Sequence, residues 1–103
     1  MDTLLSHPRI AAARAHLERT DQVTLERQAV LSAVPAPTGA EGLRATRVAE
    51  LFREVGLASV KVDSAGNVLG WLPNGGKTTD SVAPVVIAAH LDTVFGPEVD
   101  VAD

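Results

Sequence analysis

The sequence predicts an α/β fold in which about three helices precede a β-hairpin and a buried central strand. Two observations support this class: the apolar period changes from 3.6 residues to 2 near residue 59, and residues 85–89 are apolar without interruption. A strand that is apolar on both faces is typical of a sheet covered by helices. Since a central strand needs neighbours, and the two other candidate strands both precede it, we expect residues 1–103 to be the N-terminal part of a larger domain.

The first two helices are predicted from their boundary residues. Pro8 suits a first helical turn, and the alanine-rich stretch after it predicts a helix over residues 8–19. Thr20 and Asp21 offer an N-cap for a second helix over residues 22–33. Pro35 follows, and because proline cannot continue a helix, the second helix is expected to end before it.

A third helix is predicted to open at Thr38 and Gly39 and to end at Gly56, which suits the C′ position. Its apolar residues recur with helical spacing and predict one buried face. That face comprises Val48, Leu51, Phe52 and Val55. The charged residues of the same segment, which include Arg44, are expected to lie mostly in solvent.

The strands are predicted from alternation and from turn residues. Residues 59–63 alternate between polar and apolar side chains, as a half-buried strand does. Residues 64–67 read as a turn, and residues 68–72 as the returning strand of a hairpin. The glycine-rich and polar residues 73–80 are predicted to form a loop.

Composition narrows the class of protein. A hydrophobic content of 46% indicates a globular chain of one small domain. The net charge of −4 without a Lys/Arg cluster argues against a nucleic-acid partner. No apolar stretch is long enough to span a membrane, and the N-terminus lacks the basic and apolar regions of a signal peptide, so a cytoplasmic location is expected. With no cysteine, a metal site would have to use His, Asp and Glu.

His90 and Asp92 are the candidate site residues. They directly follow the apolar segment, at the carboxyl end of the predicted strand, where open α/β sheets place ligands. Residues i and i+2 of an extended strand face the same side, so the carboxylate of Asp92 would reach the site that His90 faces. Two readings follow: a metal-binding imidazole with its supporting carboxylate, or two solvated polar residues at a strand end.

Three short motifs, in order, resemble those of the M20 family of metallo-hydrolases, which includes peptidase T, acetylornithine deacetylases and aminoacylases. AAHLDTVF at residues 88–95 is similar to the first metal-binding motif of that family. PAPTGAE at residues 35–41 resembles its P-x-x-(S/T)-G-x-E entry to a helix, and DSAGNV at residues 63–68 resembles its D-x-x-G-N-V hairpin. The resemblance extends over roughly residues 22–101.

The resemblance implies a zinc-peptidase-like catalytic domain that holds two zinc ions. His90 would ligate one zinc ion, and Asp92 would be the catalytic-site carboxylate that orients its imidazole. The implied reaction is hydrolysis of a peptide or N-acyl amide bond of a small substrate by a metal-bound water. The implied full-length form includes a smaller lid or dimerisation domain and is a possible homodimer.

Some elements of the family are absent from these residues. The bridging acid, the Glu-Glu pair, a further acidic ligand and a late His follow later in complete members, and Asp100 and Asp103 are poor substitutes in a loop. One His cannot hold a catalytic zinc, which typically uses three protein ligands. The isolated chain is therefore expected to be inactive. The alternative is a non-catalytic remnant that acts as a small folding or interaction module.

Overall fold

A computed structural model of the chain describes residues 2–72, 84–96 and 98–100. The chain divides into two compact units, Met1–Val30 and Leu31–Asp103. The described residues form four helices and one antiparallel two-stranded sheet, which agrees with an α/β class at a coarse level. The loop predicted over residues 73–80, and Asp103, lie outside the described residues.

The first unit is helical. It contains α1 (Asp2–Leu5), which the sequence did not predict, α2 (Pro8–Arg19) and most of α3 (Asp21–Ser32). The bounds of α2 are those predicted, and His7 caps it, since its Nδ1 accepts a hydrogen bond from the backbone N–H of Arg9 at 3.2 Å. No residue of α2 or α3 is buried.

The third predicted helix, α4, spans Gly42–Glu54 and begins later than residues 38–39. A turn occupies the intervening positions, because the backbone N–H of Ala40 donates to the carbonyl oxygen of Pro37 at 2.8 Å. Gly39 lies within this turn with a φ of +85°, which is the conformation required at the third position of a type II turn. A helix cannot pass through a residue in that conformation, so α4 starts after it.

The buried face of α4 is offset from the predicted one. Ala45, Val48 and Ala49 are buried, whereas Val55 is 63% exposed. Arg44 was expected in solvent, and that prediction was wrong, since the residue is only 5% exposed. Burial of an arginine is tolerated when its N–H groups are hydrogen-bonded, and the Arg44 guanidinium donates to backbone carbonyls.

The C-terminus of α4 confirms the role predicted for Gly56. That residue has a φ of +88°, a left-handed conformation that glycine adopts without steric cost. The next residue, Leu57, donates its N–H to the carbonyl oxygen of Phe52 at 3.0 Å, as in a Schellman motif. The chain is thereby turned directly into the first strand.

The predicted hairpin is present. Strand β1 (Ala58–Val62) pairs antiparallel with β2 (Val68–Trp71), and α4 packs against both strands. Gly70 of β2 permits this packing, because a Cβ there would meet Phe52 Cδ2 at 3.0 Å and Leu57 Cδ1 at 3.1 Å. A residue without a side chain is therefore favoured where the helix packs on the sheet.

The hairpin turn is organised by Asp63. Its Oδ1 accepts the backbone N–H groups of Ala65 and Asn67, both at 2.9 Å, and its Oδ2 accepts Nδ2 of Asn67 at 3.0 Å. The hydrogen bond from the Asn67 side chain, followed by that from its backbone, lowers the pKa of Asp63. Gly66 supplies the positive φ, +88°. The residues of the D-x-x-G-N motif are therefore those that this turn requires.

The buried central strand predicted over residues 85–89 is not found. Residues 84–90 have no strand pairing, and Val85, Val86 and Ile87 are 91%, 81% and 94% exposed. A strand requires a hydrogen-bonding neighbour and a covering layer. Within the described residues, neither is present for this segment.

Candidate functional site

The segment that carries His90 and Asp92 is attached to the residues that precede α4. Pro37 and Thr93 form an isolated parallel β-bridge. The backbone N–H of Thr93 donates to the carbonyl oxygen of Ala36 at 2.8 Å, and Ala36 is fully buried. The first and last of the three sequence motifs are therefore brought together in space.

Arg44 forms a second attachment between the same two segments. Its Nη1 donates to the carbonyl oxygen of Leu91 at 2.7 Å. On the other side of the guanidinium, Nε and Nη2 both donate to the carbonyl oxygen of Val34, at 3.0 and 2.5 Å, and Nη2 also reaches that of Ser32 at 3.2 Å. The planar fork of an arginine allows one side chain to bind several carbonyls at once. Arg44 thereby anchors the backbone at Leu91, which lies between His90 and Asp92 in the sequence.

The imidazole of His90 is oriented by Asp92. Its Nδ1 lies 3.1 Å from Oδ1 of Asp92 and 2.9 Å from the backbone carbonyl oxygen of Asp92. Both oxygens are acceptors, so Nδ1 carries the hydrogen and donates it. In the neutral ring Nε2 then holds the lone pair, and the side chain is 85% exposed. This arrangement leaves Nε2 available to a metal ion.

Asp92 has a second partner that the sequence did not indicate. The hydroxyl of Thr38 donates to Oδ2 of Asp92 at 2.6 Å. This hydrogen bond, more than the neighbouring His90, lowers the pKa of Asp92 against the opposing effect of partial burial. The residue is therefore a carboxylate at neutral pH, and each of its oxygens has a different partner.

The described residues offer one nitrogen in the orientation that a metal ligand requires. Nε2 of His90 fits one ligand position, with Nδ1 bound to a carboxylate as is usual for metal-ligating histidines. The described part of the chain contains no group of three or more His, Cys, Asp or Glu residues that could hold a metal ion, so Asp100 does not complete a site with His90. Glu41 is engaged elsewhere, since its Oε1 accepts the backbone N–H of Gly39 at 2.7 Å.

Two residues of this arrangement were missed at the level of sequence. Thr38 belongs to the PAPTGAE motif, so its position within a matched motif was the available signal. No sequence signal indicated the role of Arg44, because the residue lies outside the apolar pattern of the helix, where charged residues ordinarily face solvent.

Comparison of the sequence with protein-family models and with curated proteins gives no match. The resemblance to the M20 family therefore rests on the three motifs and their order. Among the helices of the described ranges, none has the length and apolar character needed to cross a membrane.

Proposed function

We propose that this chain contributes His90 and Asp92 to a zinc-dependent hydrolase site of M20 type. The proposed reaction is cleavage of a peptide or N-acyl amide bond in a small substrate. The observation that supports it best is the contact between Asp92 and Nδ1 of His90, with Nε2 left exposed.

Each side chain has a distinct part in the proposed site. Asp92 fixes the tautomer of His90 and makes Nε2 a better electron-pair donor, as carboxylate partners of ligand histidines do. His90 offers that nitrogen to the ion. A bound divalent ion supplies a water of lowered pKa and polarises the substrate carbonyl.

The proposal requires ligands beyond the described residues. A catalytic zinc typically uses three protein ligands, and His90 provides one. The 103-residue chain is accordingly expected to show no amidase activity. Residues 85–89 likewise depend on partners outside the described residues, and we propose that they form a central strand only where neighbouring strands pair with them.

Zinc titration followed by NMR of the imidazole signals tests the proposal. Zinc should shift His90 at lower concentration than exposed His16, which serves as the reference within the same molecule. Asp92→Asn should weaken zinc binding at His90 about tenfold, because the carboxylate is lost from Nδ1. His90→Ala should leave only the weak response of the remaining histidines.

The contrary result is equal zinc affinity at His90 and His16, unchanged by Asp92→Asn. It would remove the metal-ligand assignment and favour the non-catalytic folding or interaction module.

A further inference from the structure

We propose that Thr38 is a positioning residue that sets the orientation of Asp92 and, through it, the tautomer of His90. The effect on metal binding rests on the proposed function, whereas the effect on the tautomer does not. The central observation is the 2.6 Å hydrogen bond from Oγ1 of Thr38 to Oδ2 of Asp92.

The two oxygens of the Asp92 carboxylate are assigned to different partners. Oδ2 accepts from Thr38, and Oδ1 lies 3.1 Å from Nδ1 of His90. The terminal torsion of an aspartate is broad, so the side chain alone does not select this orientation. A fixed hydroxyl donor on Oδ2 selects it, because rotation of the carboxylate would break that hydrogen bond and move Oδ1 away from the imidazole.

Thr38 is itself held in place. It lies inside the Pro37–Ala40 turn, which the hydrogen bond from Ala40 to Pro37 closes. The neighbouring N–H of Gly39 is bound by Glu41 at 2.7 Å. The bridge between Pro37 and Thr93 connects this turn to the residue that follows Asp92. The hydroxyl is therefore fixed relative to Asp92 by backbone contacts on both sides.

Two threonine hydroxyls within helices behave differently. Oγ1 of Thr24 and of Thr46 each bind the carbonyl oxygen four residues earlier in the chain, a local contact that helical threonines commonly make. The Thr38 hydroxyl instead bridges 54 positions to reach a side chain. Thr46 therefore provides a matched control, since Thr46→Val removes a hydroxyl of local function only.

The first experiment measures the tautomer of His90 in Thr38→Val by long-range ¹H–¹⁵N NMR, at a pH where the imidazoles are neutral. The wild-type ring should carry its hydrogen on Nδ1. His7 should show the opposite tautomer, because its Nδ1 accepts the N–H of Arg9. In Thr38→Val the Nδ1–H population of His90 should fall in part, because the carbonyl oxygen of Asp92 remains an acceptor 2.9 Å from Nδ1, and that of His7 should stay constant.

Conservative variants separate positioning from a general structural role. Thr38→Ser keeps the hydroxyl and should restore the wild-type tautomer, whereas Thr38→Ala should repeat the effect of Thr38→Val. Thr46→Val should have no effect on His90. Slow exchange of the Thr93 amide in each variant shows that its hydrogen bond to Ala36 persists.

Zinc titration of the same variants gives the second readout. Thr38→Val should weaken zinc binding at His90 by up to about tenfold, the lower end of the range for partners of ligand residues. An unchanged tautomer in both Thr38→Val and Thr38→Ala would overturn the inference, even where His90 binds zinc. The remaining outcome is a tautomer that changes with the Thr38 substitutions while His90 binds zinc no more tightly than His16. That result would support the positioning role and refute the metal site.

Discussion

Arg44 donates a 2.7 Å hydrogen bond from Nη1 to the carbonyl oxygen of Leu91, the residue between His90 and Asp92. The same guanidinium binds the carbonyl oxygens of Val34 and Ser32. One buried side chain on α4 therefore joins the backbone before the helix to the backbone that carries the candidate site.

Arg44→Met should destabilise the fold and loosen the site. The variant keeps most of the apolar stem but removes the donor from the carbonyl oxygens of the half-buried residues Val34 and Leu91 and of exposed Ser32. Hydrogen bonds to a charged group contribute about 1.5–3 kcal/mol when buried and less when they are reached by solvent. We expect a loss of about 2–3 kcal/mol in the free energy of unfolding by urea denaturation. Arg53→Met, an exposed position on the same helix, is the control and should change stability by less than about 0.5 kcal/mol. Equal effects of the two substitutions would contradict the role assigned to Arg44.

Gly70→Ala should reduce stability because a methyl group would press on Phe52 and Leu57 at 3.0–3.1 Å. Phe52 Cδ2 and Leu57 Cδ1 belong to the ends of side chains that are able to shift, whereas Leu57 Cβ, at 3.3 Å, moves only with the backbone. The expected cost is about 1–2 kcal/mol, within the range for overpacking. Gly42→Ala is the matched control, since nothing lies within 4 Å of a Cβ there. That variant should be neutral or more stable by up to about 1 kcal/mol. Thermal melts of both variants measure the difference, and a Gly70→Ala protein as stable as Gly42→Ala would refute the close approach.

The contribution of Asp63 to stability should disappear in acid. Its pKa is lowered below the ordinary 3.8, so the unfolded state binds the proton more tightly than the folded state. The stabilisation is therefore complete above pH 3.8 and is lost as the pH falls through the lowered pKa. The stability difference between the wild type and Asp63→Asn should shrink over that range. The difference between the wild type and Ser64→Ala, in the same turn, should stay constant; a parallel decline would contradict the assignment.

The exposed apolar residues 85–87 should cause self-association at high protein concentration, because contiguous exposed apolar segments favour burial against another surface. Ile87→Lys should reduce the association that sedimentation velocity detects. Leu43→Lys adds the same charge at an exposed leucine of α4 and should leave it unchanged. Association that is insensitive to Ile87→Lys would place the contact elsewhere.

The sequence alone determined much of the local structure of this protein, although not α1 or the start of α4. Pro8 and Gly56 mark helix ends through backbone conformations that nearest neighbours decide. The turn at residues 64–67 follows equally from Asp63, Gly66 and Asn67, whose hydrogen bonds span at most four residues. The pairing of His90 with Asp92 was also predictable, since two residues of spacing place both side chains on one side of an extended chain.

Tertiary structure decided the surroundings of that pair. Arg44 is buried, and Thr38 meets Asp92, because the segments before α4 and around residue 92 are joined by backbone hydrogen bonds that no local pattern encodes. Tertiary structure also decided the exposure of residues 85–87. Their apolar character is a property of the sequence, but burial requires a neighbouring strand, and hydrogen bonding between strands depends on which other part of a chain lies beside them.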